Sequence, residues 1–217
     1  MRISWERLAA LAGLAFVVLY VLAFTLGIEV GESDREILEH YGDSGERAKE
    51  VVAFFLIAAA ALAFVIFASA LRSLITRAER EPATLAALAW AGGTACAVLV
   101  LAGNAVSRAT AFAAMSDDFE LDPNTRRLVE DAGFLFFVSG ALAAILLVVA
   151  VSVAALRHGV LPRWLGWAGF VVAALLPLAV AFIGFLVFLA WVLAVSAALA
   201  LRRTPTPTAR LPATSGN

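Results

Sequence analysis

The chain has 217 residues, of which 63% are hydrophobic and 15% charged, with a mean hydropathy of +0.94 and a net charge of −1. A soluble domain carries roughly a quarter of its residues charged; here the charges are clustered between apolar runs long enough to cross a bilayer, so the chain is an integral membrane protein. The near-zero net charge offers no footprint for nucleic acid, and the single cysteine, Cys96, excludes a CxxC redox pair and an internal disulfide.

In chain order, the first apolar run covers about 8–28. It follows the charged start MRISWERLAA, but it is longer than the ~7–15-residue core of a signal peptide, and FTLGIEVGE lacks an A-x-A-like cleavage site. It reads as a retained span. The stretch GESDREILEHYGDSGERAKE, 31–50, then places seven acids and His40 between two apolar runs. Ser33 and Glu36 have capping-box spacing. Ile37, Leu38 and Tyr41 are read as sharing one face of a short amphipathic surface helix, and Gly42 as a helix stop with positive φ. Asp43, with Glu46 three residues on, caps a helix that continues into a second span at 51–71. Glu36, Glu39 and His40 offer a metal site in principle, since Glu36 and His40 share a helix face. One exposed turn without a second His or Cys nearby reads better as a solvated charged surface.

A third span covers 83–106 and a fourth 132–156. Between them, in SDDFELDPNTRR, Asp122-Pro123 is an N-cap followed by proline at the first helical position. Asp117, Asp118, Glu120 and Asp122 could ligate calcium, but their spacing completes no loop motif and lacks the sharp-turn glycine. The block from Trp164 to Leu201 has no charge, and its 38 residues would make a helix of ~57 Å against a hydrocarbon core of ~30 Å. It must fold back. Pro177 and Gly184 bracket the turn, giving spans at 164–180 and 184–201, with a partly re-entrant hairpin as the alternative. The fold class is therefore an all-α, six-helix transmembrane bundle over 1–203, with a Pro/Thr-rich disordered cytoplasmic tail at 204–217.

Charge distribution supports six spans with both termini cytoplasmic in the plasma (inner) membrane. One side then holds ten arginines (Arg2, Arg7, Arg72, Arg77, Arg80, Arg157, Arg163, Arg202, Arg203, Arg210) against three acids, and the other holds six basic residues against fourteen acids. Trp5, Trp90, Trp164 and Trp167 fall near the basic interface, where indole rings prefer to sit. Ala-Leu-Arg recurs at 70–72, 155–157 and 200–202; a threefold hairpin duplication is one reading, and snorkelling Arg at helix ends is the better one.

Three features carry a resemblance: the entry Leu161-Pro162-Arg163-Trp164-Leu165-Gly166-Trp167, the Trp191…Ser196 pattern, and the charged first outer loop with its ILEHYG element. With them the chain resembles a group of six-helix membrane proteins of GC-rich bacteria that carry a domain-of-unknown-function label. The resemblance covers most of the chain and implies the fold; it brings no activity.

Inside the spans, the central portions contain no acid, lysine or histidine. Axial haem ligands, intramembrane zinc sites, a histidine partner for Ser139 and a carrier carboxylate at depth are all missing, so no enzyme, cofactor or metal is expected. One constellation remains. Asn104, Ser107 and Arg108, at i, i+3 and i+4, form a polar stripe near the outer end of the third span, with Asp131 or Glu50 as partner for Arg108. Read as helix glue, the stripe fits a non-enzymatic structural or accessory component with a membrane-protein partner or a second copy of itself. Read as an outward-facing vestibule for an anionic or amphipathic small molecule, it fits a small permease or a lipid- or amphipath-binding protein. The first reading is preferred on sequence; a cavity reaching Asn104 would favour the second.

Overall fold

The computed structural model describes residues 5–27, 33–79, 83–116 and 118–201. The proposed tail at 204–217 lies outside them. Among the described residues seven α-helices follow one another: α1 (Trp5–Leu26), α2 (Asp34–Gly42), α3 (Ser44–Ala78), α4 (Thr84–Ala113), α5 (Pro123–His158), α6 (Arg163–Leu175) and α7 (Ile183–Ala200), with a 3₁₀ segment, Leu176–Ala181, between the last two. No strand occurs among the described residues. Six of these elements are long and apolar enough to cross a membrane, counting α6 with its 3₁₀ extension as one; only α2 is not.

Capping residues set the helix starts as the sequence predicts. Ser33 and Glu36 form the reciprocal capping box of α2, the carboxylate of Asp43 accepts from the N–H groups of Gly45 and Glu46, and that of Asp122 accepts from those of Asn124 and Thr125. The start of α4 has no side-chain cap of its own; Glu79, at the end of α3, reaches over to accept from the N–H groups of Leu85 and Ala86 at 3.1 and 3.2 Å. Two expectations for α2 fail. Gly42 is not in the left-handed region, where Gly159 is the sole described glycine. The helix stops instead because Asp43 turns extended (φ −82°, ψ 123°) to bring its carboxylate onto the next helix. Leu38 is 47% exposed while Ile37 and Tyr41 are buried against Ala111. Residues i and i+4 share a helix face, and i+1 lies a third of a turn away.

Each arm of the final hairpin can cross the membrane. Thirteen α-helical and six 3₁₀ residues span ~31 Å, and the 18 residues of α7 span ~27 Å. The turn falls at Phe182, the one described non-glycine residue with positive φ (59°), whose ring packs on Phe134 and Phe137 with centroids 5.5 and 5.7 Å away. Gly184 sits so close to the carbonyl of Leu175 and the N–H of Ala179 that no side chain fits there.

The spanning elements form a closed ring in chain order: α1 on α3, α3 on α4, α4 on α5, α5 on α6, α6 on α7, and α7 back on α1. Rings of Phe16, Phe64, Phe67 and Phe188 fill the interior, with Phe16 and Phe64 4.7 Å apart. The broadest interface, α4 on α5, is a seam of small residues. A Cβ on Gly92 would meet the Leu147 N at 2.6 Å, and one on Gly103 would meet the Gly133 O at 2.6 Å, so backbones touch directly. Leu11, Leu14, Val18 and Leu22 face outward along α1 as a lipid-facing surface.

Alternation of direction puts Arg7, Arg72, Arg77, Arg157 and Arg163 at one end of the ring. Trp164 and Trp167 are exposed at that end, and Arg72 lies over the ring of Trp90 at 5.8 Å. The acidic segments gather at the other end, where α2 packs on α3 and α5.

Candidate functional site

The acidic end holds a cavity of about 390 Å³ whose lining includes all five residues singled out in the sequence: Glu50, Asn104, Ser107, Arg108 and Asp131. The helices place them. Glu50 is the seventh residue of α3 and only 3% exposed; it forms an ion pair with Arg108, which lies near the last turn of α4. The guanidinium of Arg108 in turn lies against Gly27, just past α1. Of the two partners considered for Arg108, the fold selects Glu50 over Asp131, and Arg108 does not snorkel outward. The other carboxylate oxygen of Glu50 is 3.4 Å from His40 Nε2, a separation that makes an ion pair when the imidazole is protonated but lacks hydrogen-bond geometry.

One turn deeper, Asn104 is 8% exposed and donates its Nδ2 to the Phe54 carbonyl of α3 at 3.1 Å. That bond is helix glue, and it also fixes the orientation of the amide. Oδ1 is left buried with no partner among the described residues. The Ser107 hydroxyl packs over Gly133 in the α4–α5 seam.

Sequence reasoning missed the opposite wall. Arg126 is 3% exposed, donates Nε to the Tyr41 hydroxyl at 2.6 Å, lies over the Tyr41 ring at 5.5 Å and pairs with Glu130. Burial raises the Tyr41 phenol above its ordinary pKa, and the negative charge of Glu50 adds to the shift. Arg47 donates to the Tyr41 carbonyl and Arg127 pairs with Asp34 at 2.6 Å, so α2 is tied to α3 and α5. A periodic signal existed: Arg126, Glu130, Gly133 and Phe137 recur at i, i+4, i+7 and i+11 on one face of α5. Asp131 stands beside them, exposed, and forms no ion pair among the described residues.

Below these charges the lining turns aromatic, with Tyr20, Phe24, Phe134, Phe137 and Phe182. Polar groups thus rim a cavity with an apolar floor. The metal-ligand set considered for α2 is dispersed: Glu36 bonds Ser33, Glu39 pairs with Arg35, and His40 faces Glu50. No group of three potential metal ligands occurs among the described residues. Asp122 is used as a helix cap, and Asp117 lies outside the described residues. Comparison with family models, curated proteins and solved structures finds no match to this chain.

Proposed function

We propose that the protein binds an amphipathic small molecule in this vestibule, as a small permease or amphipath-binding protein of a bacterial plasma membrane. Both termini are cytoplasmic and the acidic end faces outward, as the arginine distribution favours. The observation that carries the reading is the cavity itself, which reaches Asn104 and joins an ionic rim to a phenylalanine floor. Its size falls within the ~300–1,000 Å³ of small-molecule sites, and its mixture of apolar wall and a few placed polar groups is their usual chemistry.

The accessory-protein reading drew on the stripe as helix glue, and the Asn104 bond to the Phe54 carbonyl spends that glue within the chain. The small residues are spent the same way: Gly92 and Gly103 of α4 meet α5, and Gly140 of α5 meets α4. The proposed role is binding without bond-making, since four of the five ionisable groups on the rim neutralise one another in pairs.

The test is solvent access to the vestibule. In a Cys96→Ala background, Ser107→Cys is a near-isosteric reporter on the cavity wall. Labelling with a membrane-impermeant thiol reagent is compared in intact cells and inverted membrane vesicles, with Arg35→Cys as an exposed control. Reaction at position 107 from the same side as the control supports the vestibule. A silent thiol at position 107 from both sides, while the control reacts, refutes it.

A further inference from the structure

We infer that the ligand is an amine-headed, single-chain amphipath, and that it enters sideways from the bilayer through the seam between α1 and α7. This inference rests on the vestibule reading and gives it a substrate class and a route. The first observation is a second cavity, about 160 Å³, lined by Tyr20, Val21, Phe24, Phe182, Leu186 and Leu189, among others. It shares Tyr20, Phe24 and Phe182 with the vestibule, so the two spaces meet at one aromatic junction.

Position says what occupies this groove. It lies where the first and last helices close the ring, and Val21, Leu186 and Phe182 are exposed on its outer side. The groove offers essentially no polar surface. At membrane depth such a space solvates neither water nor a polar solute, and a hydrocarbon chain is the occupant whose transfer there costs nothing. The rings of Phe24 and Phe182 meet there at 6.1 Å, tilted by 54°, so the junction is closed by side chains and not by backbone.

The charge balance of the rim identifies the head. Arg108 is neutralised by Glu50 and Arg126 by Glu130, which leaves Asp131 as the unpaired charge on the wall among the described residues. The acceptor Oδ1 of Asn104 is likewise unspent, its donor side being held by Phe54. An unpaired acid and a free carbonyl acceptor call for a donor with positive charge. A primary ammonium supplies three N–H donors, and Tyr20 and Phe134 in the same lining are aromatic neighbours for a cation. A carboxylate or phosphate head would meet net repulsion.

The test uses the Cys96→Ala, Ser107→Cys protein in lipid nanodiscs and reads the thiol alkylation rate with decylamine, decanoate or ethylamine present. Decylamine is expected to slow alkylation at concentrations where decanoate and ethylamine do not. Asp131→Asn should raise the half-protecting concentration roughly ten-fold, the loss of one charge-assisted hydrogen bond. Leu186→Trp, a change at an exposed position that fills the groove, should weaken decylamine protection while leaving alkylation without ligand unchanged; a thermal melt of each variant checks folding. Equal protection by decanoate overturns the amine head, and equal protection by ethylamine overturns the chain. An unaltered half-protecting concentration in Leu186→Trp overturns the groove as the seat of the chain, and an unaltered rate of onset of protection overturns the lateral route. Free alkylation that decylamine never slows sinks this inference and leaves the vestibule standing, whereas an unreactive thiol at position 107 sinks the vestibule itself.

Discussion

Replacing Glu50 by Gln tests the electrostatic logic of the acidic end most directly. The carboxylate is 3% exposed, and the Arg108 side chain it neutralises is 15% exposed, so the surviving guanidinium would be left mostly desolvated and unpaired. Breaking a buried pair by removing one partner costs ~3–5 kcal/mol. The guanidinium also lines the cavity, where water can reach part of it, so the lower end, about 3 kcal/mol, is expected. That corresponds to a change of roughly 150-fold in the folding equilibrium. The double variant Glu50→Gln/Arg108→Met removes both charges and should be less destabilised than Glu50→Gln alone, because no orphan charge remains. Asp131→Asn, at an exposed carboxylate without an ion pair among the described residues, should move stability by no more than ~0.5 kcal/mol. Reversible unfolding in mixed nonionic and dodecyl sulfate micelles, followed by far-UV circular dichroism, gives these values, with Arg108→Met alone completing the cycle. A Glu50→Gln cost below ~1 kcal/mol, with additive single changes, would refute the buried-pair account and mean that cavity water solvates Arg108 fully.

Other expectations concern the scaffold. Gly133→Val should destabilise by ~1–3 kcal/mol in the same assay, because a Cβ there meets the Gly103 carbonyl at 2.7 Å as well as the Ser107 hydroxyl. Gly42→Ala should be neutral or stabilising by up to ~1 kcal/mol, since its Cβ meets nothing within 4 Å and its φ is not positive. Gly159→Ala, at φ +65°, should instead cost ~1–2 kcal/mol, and equal effects at the two glycines would contradict the φ assignment. Acid sensitivity should trace to the caps. Hydrogen bonds from Ser33 to Glu36, from the Glu46 and Gly45 N–H groups to Asp43, and from Thr125 and the Asn124 N–H to Asp122 lower all three carboxyl pKa values. A carboxyl with a lowered folded pKa binds fewer protons folded than unfolded. Its contribution is therefore complete above the ordinary carboxylate range, about 3.9–4.3, and is lost as pH falls through the lower folded value. An Asp43→Asn/Asp122→Asn protein should show a shallower loss of stability below pH ~4, and an unchanged acid limb would exclude the caps as its source.

What the sequence made legible was what depends on local chemistry. Apolar runs, capping residues and the Arg distribution each report on a few neighbouring residues, and they agree with the helices from Ser33 to Gly184. The polar stripe of α4 was legible for the same reason, since i, i+3 and i+4 lie together on any helix. The choice between Glu50 and Asp131 depended on how α3 and α5 rotate about α4, a property of the ring and not of any one segment. Arg126 was hidden differently. In NTRRLVED it reads as one more solvated charge, and it becomes buried because Tyr41 of α2 folds across it. Gly42 shows the converse error: a glycine at a helix end invites the left-handed stop, but the capping demand of Asp43 decides the backbone there.

The depth of the site explains how a chain with apolar span centres can still hold five ionisable groups together. On α3 the apolar run begins at Val51, immediately after Glu50, and Asn104 bonds the carbonyl of Phe54 just beyond it. The ionic rim therefore sits where hydrocarbon gives way to headgroups, a level at which charged side chains cost far less than at the bilayer centre. The phenylalanine floor begins within a turn below. A molecule that matches both layers is itself interfacial, with its polar end at headgroup level and its chain pointing inward. Such a molecule already resides in the membrane, at the depth where the apolar groove between α1 and α7 adjoins the vestibule.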